Sequence, residues 1–558
     1  MPATRIVECV PNFSEGRDRS VIDAIARSIT SVSGVSLLDV DPGADTNRTV
    51  YTFVGAPEAV ARAALEAAVA ASSLIDMSRH TGAHPRMGAL DVCPFVPVSG
   101  VSMEECVELA RGVGRDLARE LGVPVYLYEN AATRPERRSL ADIRSGEYEA
   151  LGAKLARPEW APDFGPATFV PRWGATVVGA REFLIAYNVN LNTRDKKLAN
   201  EVALSIREAG RSAKDAAGNI VKDERGQAVK VPGLLKDVRA IGWYIDAYRC
   251  AQISVNLVNY KTTALHTVFE TAKAEAEKLG LLVTGSEVVG LLPLEPLVAA
   301  GRHFLRKMGR SEGASEAELV DTAVRSMGLD SVAPFDPAKK IVEYACRAPR
   351  PLVSMKVDGF VDEVASESPA PGGGSVAALA GSLGAALATM VCNLTVGKKG
   401  YESAWTALSE TAVKGQSVKD ALVRAVDEDT SAFNDLMEAM KLPKASDGQK
   451  AARERAMQEG YKKAALVPLE TAAACLEAIE LCVEAAEKGN ANSATDAGVG
   501  ALMARAGAES ASLNVLVNLA SVSDASFVEA TKARALAIVE DADRLRDRAL
   551  ELVRRRLG

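Results

Sequence analysis

Apolar and polar positions follow two periods along the first half of the chain. RIVECVPNF, VSLLDVDP, NRTVYTFVG and ALDVCPFVPV read as strands, whereas SVIDAIARSIT and PEAVARAALEAAVAASSLI repeat their apolar residues every three or four positions. The order is therefore β-α-β-β-α-β. It begins again at REFLIAYNVNL, with a helix expected over 196–209, strands in VRAIGWYID and QISVNLVNY, a helix over 267–279 and a strand in SEVVGLLPL. Between the two units lie a helix over 104–120, a strand in VPVYLYE, a second helix and the Pro- and Gly-marked loop PDFGPATFVPRWGA. Residues 212–233 read as a polar hairpin insertion. An antiparallel sheet with helices on one face leaves the other face free, so two such units set face to face would enclose a cleft for a ligand.

Past residue 330 the pattern changes. SVAPFDPAKKIVEYACRAPRPLVS is a Pro-bearing connector, and everything beyond about residue 353 keeps apolar residues at helical spacing. The expected architecture is α/β (α+β): two ferredoxin-like β-α-β-β-α-β subdomains over 1–181 and 182–333, a linker over 334–352, and an all-α helical bundle over 353–558. Residues 368–397 carry no charge and are long enough to span a bilayer. They open with SPAPGGGS and are dominated by Ala, Gly and Ser, which argues for a buried helix with close neighbours and against a membrane segment. Ala377, Gly381, Ala385 and Thr389 form one small-residue stripe at i, i+4 steps, read as tight helix packing that favours a homo-oligomer.

Composition narrows the function classes. With 66 Lys+Arg against 73 Asp+Glu over 558 residues, the formal charge is -7, which argues against nucleic acid or a membrane surface as partner. The start MPATRIVECVPNF lacks the apolar stretch of a signal peptide, and eight cysteines are scattered without CxxC spacing. A reduced, cytoplasmic setting is expected, with no zinc site.

Only four histidines occur, His80, His84, His266 and His303, none of them in the helical part. His80 and His84 sit in DMSRHTGAHPRMGALDVCP, where Gly82 and Pro85 favour a loop leading into a strand. Their HxxxH spacing lacks the helix and third ligand of a zinc site, so one imidazole is read as a general base or both as structural loop residues. Arg79 and Arg86 are candidates to hold substrate carboxylates. Asp39, Asp41 and Asp45 fit a turn as well as a site, with Asp41 the one to watch. In the helical part, the glycines of PGGGS would let a ligand or backbone approach free N–H groups at a helix start. Asp429 shares a helix face with Ala425 and Phe433, where burial would raise its pKa into the range of a proton donor; a capped structural acid is the other reading. Asn514 and Asn518, one helical turn apart, suit either a polar heterocycle or a bond between helices.

At VECVPNFSEGRD, LLDVDPGADTNRTVYTFVG, IDMSRHTGAHPRMGALDVCPF, WAPDFGPATFVPRWGA, APGGGSVAA and VDEDTSAF, the chain closely resembles the formimidoyltransferase-cyclodeaminase family of histidine degradation, over nearly its whole length. The resemblance implies transfer of a formimino group from N-formimidoyl-L-glutamate to N5 of tetrahydrofolate, then ring closure to 5,10-methenyltetrahydrofolate with loss of ammonia. It places the transferase base on His84 and the ring-closing acid on Asp429. It places folate on Gly165, Pro166, Ala167, Thr168, Phe169, Val170, Pro171, Arg172, Trp173 and Gly174, where Phe169 and Trp173 would pack on folate rings, with Asp41 lining the same cleft. Tetrahydrofolate is then a co-substrate, no cofactor is tightly bound, and the partners are formimidoyl-glutamate and folylpolyglutamate, the latter calling for a basic track that could include Lys398 and Lys399. Two competing readings are a formyltransferase using N-formyl-glutamate and a non-catalytic folate-binding assembly protein.

Overall fold

The structure is a computed structural model and describes residues 5–82, 84–215, 219–347 and 350–557. It divides into two compact units. One comprises residues 5–297 and 327–347 and carries the sheets. The other comprises Val298–Ser326 and the chain beyond residue 350, and is helical.

In the first unit, β1 (Ile6–Cys9) and β2 (Asn12–Phe13) form one strand interrupted at Pro11, since both pair with the same two neighbours. Helix α1 (Arg19–Thr30), strands β3 (Val35–Gly43) and β4 (Arg48–Gly55), helix α2 (Pro57–Leu74) and β5 (Leu90–Ser99) complete the expected motif. The lateral order β3-β4-β1/β2-β5 is antiparallel throughout and is that of a split β-α-β pair. Odd positions of β4 point at the helices: Tyr51 and Phe53 are fully buried with Phe13, Ile22, Ile25 and Ile29. Each such side chain contributes about 1.5–3 kcal/mol by leaving water. Even positions, Arg48, Val50 and Thr52, lie on the helix-free face.

The sheet then continues beyond this motif, through the expected helix and VPVYLYE strand and one strand that the sequence reading left out. After α3 (Met103–Leu121) and β6 (Val125–Glu129), with the short helices α4 (Leu140–Arg144) and α5 (Leu151–Leu155), strand β7 (Thr176–Ala180) inserts in parallel between β5 and β6. Its five residues TVVGA are all buried, so no polar alternation marked them as a strand.

The second sheet is formed by β8 (Ile185–Leu191), α6 (Lys196–Ile206), β11 (Val238–Ile245), β12 (Cys250–Leu257), α7 (Leu265–Lys278) and β13 (Val283–Val289), in the order β11-β12-β8-β13. Both expected β-α-β-β-α-β units are therefore present. The insertion is a hairpin of two-residue strands, β9 (Arg211–Ser212) with β10 (Lys230–Val231); part of it, 216–218, lies outside the described residues.

Helices α8 (Leu294–Lys307), α9 (Glu316–Met327), α10 (Pro337–Lys340), α11 (Val342–Ala345) and α12 (Val357–Val364) come next in the chain, and the helical unit is built on α13 (Gly373–Thr395), α14 (Trp405–Lys441), α15 (Asp447–Lys488), α16 (Ala494–Leu519) and α17 (Ala525–Leu557). Helix α13 is apolar and long enough to cross a membrane by length and hydropathy, yet most of its most apolar stretch is buried within the protein. Its small residues are spent inside the bundle. A methyl on Gly384 would sit 2.7 Å from the Gly500 carbonyl of α16, and one on Gly381 would sit 2.3 Å from Cys475 Sγ of α15. The stripe of Ala377, Gly381, Ala385 and Thr389 thus serves helix packing within one chain and is no argument for association between chains.

Candidate active sites

Three loops at one end of the first sheet are tied together by Asn47. Its Oδ1 accepts from Gly16 N–H at 3.0 Å, its Nδ2 donates to the Thr81 carbonyl at 3.0 Å, and its own carbonyl accepts from His80 Nε2 at 2.8 Å. The residue holds φ +49°, a left-handed conformation that Asn tolerates better than most side chains. The segments SEGR, DTNR and RHTGAHPRMG, distant in sequence, therefore meet around one side chain.

The two candidate histidines separate cleanly. His80 has both ring nitrogens engaged by protein, since Nε2 meets the Asn47 carbonyl and Nδ1 accepts from Arg86 Nε at 3.2 Å. It is a structural residue of the loop. Arg86 is no free carboxylate clamp either: it is buried, and its guanidinium grips Glu149 at 2.7 and 2.9 Å and Glu147 at 3.2 Å. Arg79 is exposed on the surface near Asp76. His84, half-buried, has one partner in Arg48, whose Nη1 lies 2.9 Å from its Nε2. Its Nδ1 is enclosed, away from solvent. Burial first, then the positive charges of Arg48 and Arg144, lower the His84 pKa below the usual imidazole value, which keeps the ring neutral near pH 7.

Arg144, the last residue of α4, is paired with Asp91, a fully buried carboxylate that also accepts from Met87 N–H at 2.7 Å. Asp41 is exposed and stands diagonal to Arg48 across the β3–β4 pair, on the same face of the sheet. Arg48, Asn47, Asp91 and Arg144 were not singled out from sequence; the TNR triplet beside the acidic turn was the available signal.

The loop over 165–174 is stitched to the histidine loop. Met77 N–H donates to the Arg172 carbonyl, Ala89 N–H to the Trp173 carbonyl and Ala175 N–H to the Met87 carbonyl, at 2.8–3.1 Å. Gly174 permits this closeness: it has φ +82°, and a Cβ there would fall 2.0 Å from the Met87 carbonyl oxygen. Gly165, Ala167, Thr168, Phe169, Pro171 and Arg172 are exposed, while Pro166 and Val170 are half-buried. Trp173 departs from the expected ring stack. It is 4% exposed within the core, and its indole donates to Thr176 Oγ1 at 2.9 Å, so it anchors the loop. Phe169, with its ring 5.3 Å from that of Tyr148, remains open to solvent.

Along the same helix-free face runs the expected cleft, a groove of about 420 Å³ walled by Glu8, Val10, Asp39 and Thr52 of the first sheet, by Arg181, Phe183 and Leu184, by Ala186 and Val289 of the second sheet, and by Lys339 and Lys340. Glu8 is only 4% exposed, and burial, opposed in part by Arg181, pushes its pKa up to about 7. Sequence gave no hint of it, because one acid in a strand looks like ordinary alternation.

In the helical unit, Asp429 of α14 lies against the start of α13. A Cβ on Gly374 would sit 2.1 Å from Asp429 Oδ1, and one on Gly373 would sit 3.1 Å from the Asn514 amide nitrogen. The glycines of PGGGS thus make room for a carboxyl and an amide side chain. Burial raises the Asp429 pKa above the ordinary aspartate value, against the opposing pull of the Ser375 backbone and hydroxyl, whose Oγ lies 3.4 Å away. Asp427 of the same cluster is structural, accepting from the Leu352 and Val353 N–H groups at 2.9 and 3.2 Å. Asn518 bonds helix to helix through the Ala464 carbonyl. Lys398 and Lys399 follow the opposite end of α13, about 30 Å of helix away, and do not belong to this site.

A half-buried histidine with a lowered pKa on a two-sheet α+β unit, and a half-buried aspartate with a raised pKa on a helical one, are two candidate centres for an enzyme of proton-coupled chemistry. Residues 6–181 match the family model of the formiminotransferase domain, N-terminal subdomain; 186–347 match that of the formiminotransferase domain, and 356–537 that of formiminotransferase-cyclodeaminase. The formimidoyltransferase-cyclodeaminase of Mus musculus is 47% identical over 542 residues, 97% of each chain. A glutamate formimidoyltransferase of Streptococcus pyogenes is 42% identical over 302 residues, covering 54% of this chain and 94% of its own. A methenyltetrahydrofolate cyclohydrolase of Methylorubrum extorquens is 41% identical over 202 residues, covering 36% of this chain and 97% of its own. The chain belongs to the formimidoyltransferase-cyclodeaminase family and is a bifunctional enzyme with a transferase and a cyclodeaminase activity.

Proposed function

We propose that the α+β half, 1–181 with 182–333, moves the formimino group of N-formimidoyl-L-glutamate to N5 of tetrahydrofolate, and that the helical half over 353–558, beyond a linker at 334–352, closes the product to 5,10-methenyltetrahydrofolate. The observation that carries the first role is a neutral His84 in a loop tied to the 165–174 loop. As N5 attacks the formimino carbon it becomes acidic, and His84 takes its proton. The imidazolium then returns that proton to the glutamate nitrogen as the carbon–nitrogen bond breaks. Folate lies along the 165–174 loop with Phe169 against one ring, and Asp41 lines the same cleft.

In the helical half, N10 attacks the amidine carbon and ammonia must leave as a neutral amine. Asp429, whose pKa burial raises above the ordinary aspartate value, supplies that proton, and Asn514 orients the heterocycle. Tetrahydrofolate and formimidoyl-glutamate are the small-molecule partners, with folylpolyglutamate as the longer form. No tightly bound cofactor is required, because neither step is a redox reaction, and the enzyme works in the cytoplasm. It associates with itself through the bundle, where Val376, Leu383 and Leu394 of α13 and Val499, Leu502 and Leu513 of α16 are each at least 40% exposed, a strip suited to a second copy.

A second reading of the helical half is favoured by its likeness to a chain named as a cyclohydrolase. There water attacks the methenyl carbon with help from the same Asp429. The test supplies purified protein with tetrahydrofolate and either N-formimidoyl- or N-formyl-glutamate, following glutamate, ammonia and the methenyl absorbance. His84→Ala should abolish transfer alone and Asp429→Ala ring closure alone. Turnover of the formyl donor only would move the chain to the formyltransferase reading, and no turnover of either would leave the binding-protein reading. Loss of methenyl absorbance without ammonia present would mark the hydrolase.

A further inference from the structure

The geometry around His84 assigns a role to Arg48 that goes beyond charge, resting on the transferase reading above. A guanidinium offers only donors, so an Nη1–Nε2 separation of 2.9 Å requires Nε2 to present its lone pair. The ring is then neutral with its proton on Nδ1, the enclosed nitrogen. Nδ1 can neither accept a proton nor reach a ligand, so Nε2 must be the nitrogen that acts as base. In the ligand-free protein that nitrogen is capped.

We propose that Arg48 is a latch on the base: it covers His84 Nε2 until a carboxylate of the formimino donor draws the guanidinium away, and so couples donor binding to the unmasking of the base. Three features make the exchange feasible. Arg48 lies on the helix-free face of β4, half-buried, where a ligand carboxylate can approach. Among the described residues its charge has no ion-pair partner, since Asp41 is the diagonal neighbour and the buried Asp91 is held by Arg144. A carboxylate accepts two parallel N–H bonds from a guanidinium, whereas the imidazole accepts one, so the donor outcompetes the ring.

The step that follows balances without a further reagent. N5 forms its bond to the formimino carbon, its proton passes to Nε2, the bond from that carbon to the glutamate nitrogen breaks, and the proton passes to that nitrogen. Protonated Nε2 would face the Arg48 donors directly if the latch stayed closed, so donor binding and proton uptake favour the same open arrangement. The charged groups facing His84 are Arg48 from β4, Arg144 from the end of α4 and Asp91 from β5.

With four histidines in the chain, their ring nitrogens can be followed one by one in ¹⁵N spectra. The ligand-free enzyme should show His84 as the Nδ1–H tautomer. Saturating N-formimidoyl-L-glutamate without tetrahydrofolate should raise its pKa in the wild type and leave it unmoved in Arg48→Gln. In steady state, Arg48→Gln should raise KM for the donor about 10- to 100-fold, with little change for tetrahydrofolate, and shift the acid limb of transfer upward. Arg48→Lys, which keeps one charged donor, should fall between, and ring-closing activity in both variants reports an intact protein. An Nε2–H tautomer in the ligand-free enzyme, or an unchanged donor KM in Arg48→Gln, overturns the latch. Absence of formimidoyl transfer in the wild type would instead remove the transferase reading on which it stands.

Discussion

Gly374→Ala isolates the fit between Asp429 and the start of α13. The new methyl carbon would fall 2.1 Å from Oδ1, 2.4 Å from Cγ and 2.5 Å from Oδ2, closer than a Cβ approaches any heavy atom. Relief needs roughly 1 Å of movement, either by the carboxyl or by the first turn of the helix. Misplacement by about 1 Å of a group that must meet a departing amine costs on the order of 100-fold in rate. Stability should fall by no more than about 2.5 kcal/mol, because alanine in a helix gains about 0.5–1 kcal/mol over glycine while overpacking costs about 1–3 kcal/mol. The assay is methenyl formation from synthetic 5-formimidoyltetrahydrofolate, with thermal unfolding followed on the same samples. Ring closure should fall about 100-fold while formimidoyl transfer, in the other unit, stays within twofold of wild type. Ring closure within threefold of wild type in a normally folded protein would refute the placement of Asp429 at this helix start.

Asn47→Ala should remove two side-chain hydrogen bonds and place alanine at positive φ, costing about 2–4 kcal/mol in the α+β half and most of the transfer rate; Asn47→Gly, which relieves the backbone, should recover about 1 kcal/mol by denaturant titration. Glu8 carries a folded pKa of about 7 against a reference of 4.5, so burying its charge destabilises the fold progressively as pH rises through that window. Glu8→Gln should therefore stabilise the protein by roughly 3 kcal/mol at pH 8 and hardly at all at pH 4. Equal effects at the two pH values in urea unfolding would show that Glu8 is not held neutral by the groove.

Periodicity made both β-α-β-β-α-β units and the helical bundle legible, because each strand and helix buries one face and leaves the other wet. The same logic explains the omission of β7, whose TVVGA is buried on both faces and adjoins a Pro- and Gly-rich loop. The site was legible as motifs and not as partners. His84 and Asp429 stand out by scarcity and by an acid on an apolar face, but the choice between His80 and His84 depends on Asn47 and Arg86, which reach His80 only after β4 and the loop before β5 fold together. Trp173 misled for a related reason: an aromatic in a binding loop reads as a ligand platform, yet its indole had a partner three residues away in Thr176. Small-residue spacing likewise announced close packing without saying whose backbone would fill it.

Burial acts on the two centres in opposite chemical senses. Removing water disfavours the charged form of each group, so it lowers the pKa of His84 and raises that of Asp429. Each shift favours the neutral form, which suits the proposed base at His84 and the proposed acid at Asp429. Transfer should fall as pH drops through the depressed His84 pKa, because the neutral ring is lost. Ring closure should fall as pH rises through the elevated Asp429 pKa, because the proton is lost, and this limb should lie above the range of an ordinary aspartate. The coupled reaction is therefore confined from both sides and should have a narrower pH profile than either half assayed alone. Rate profiles for the separate half-reactions, with Asp429→Glu as the control that shifts only the alkaline limb, check this directly. If ring closure instead gained rate with pH across that limb, Asp429 would be acting as a carboxylate base, and the proton for ammonia would have to come from elsewhere.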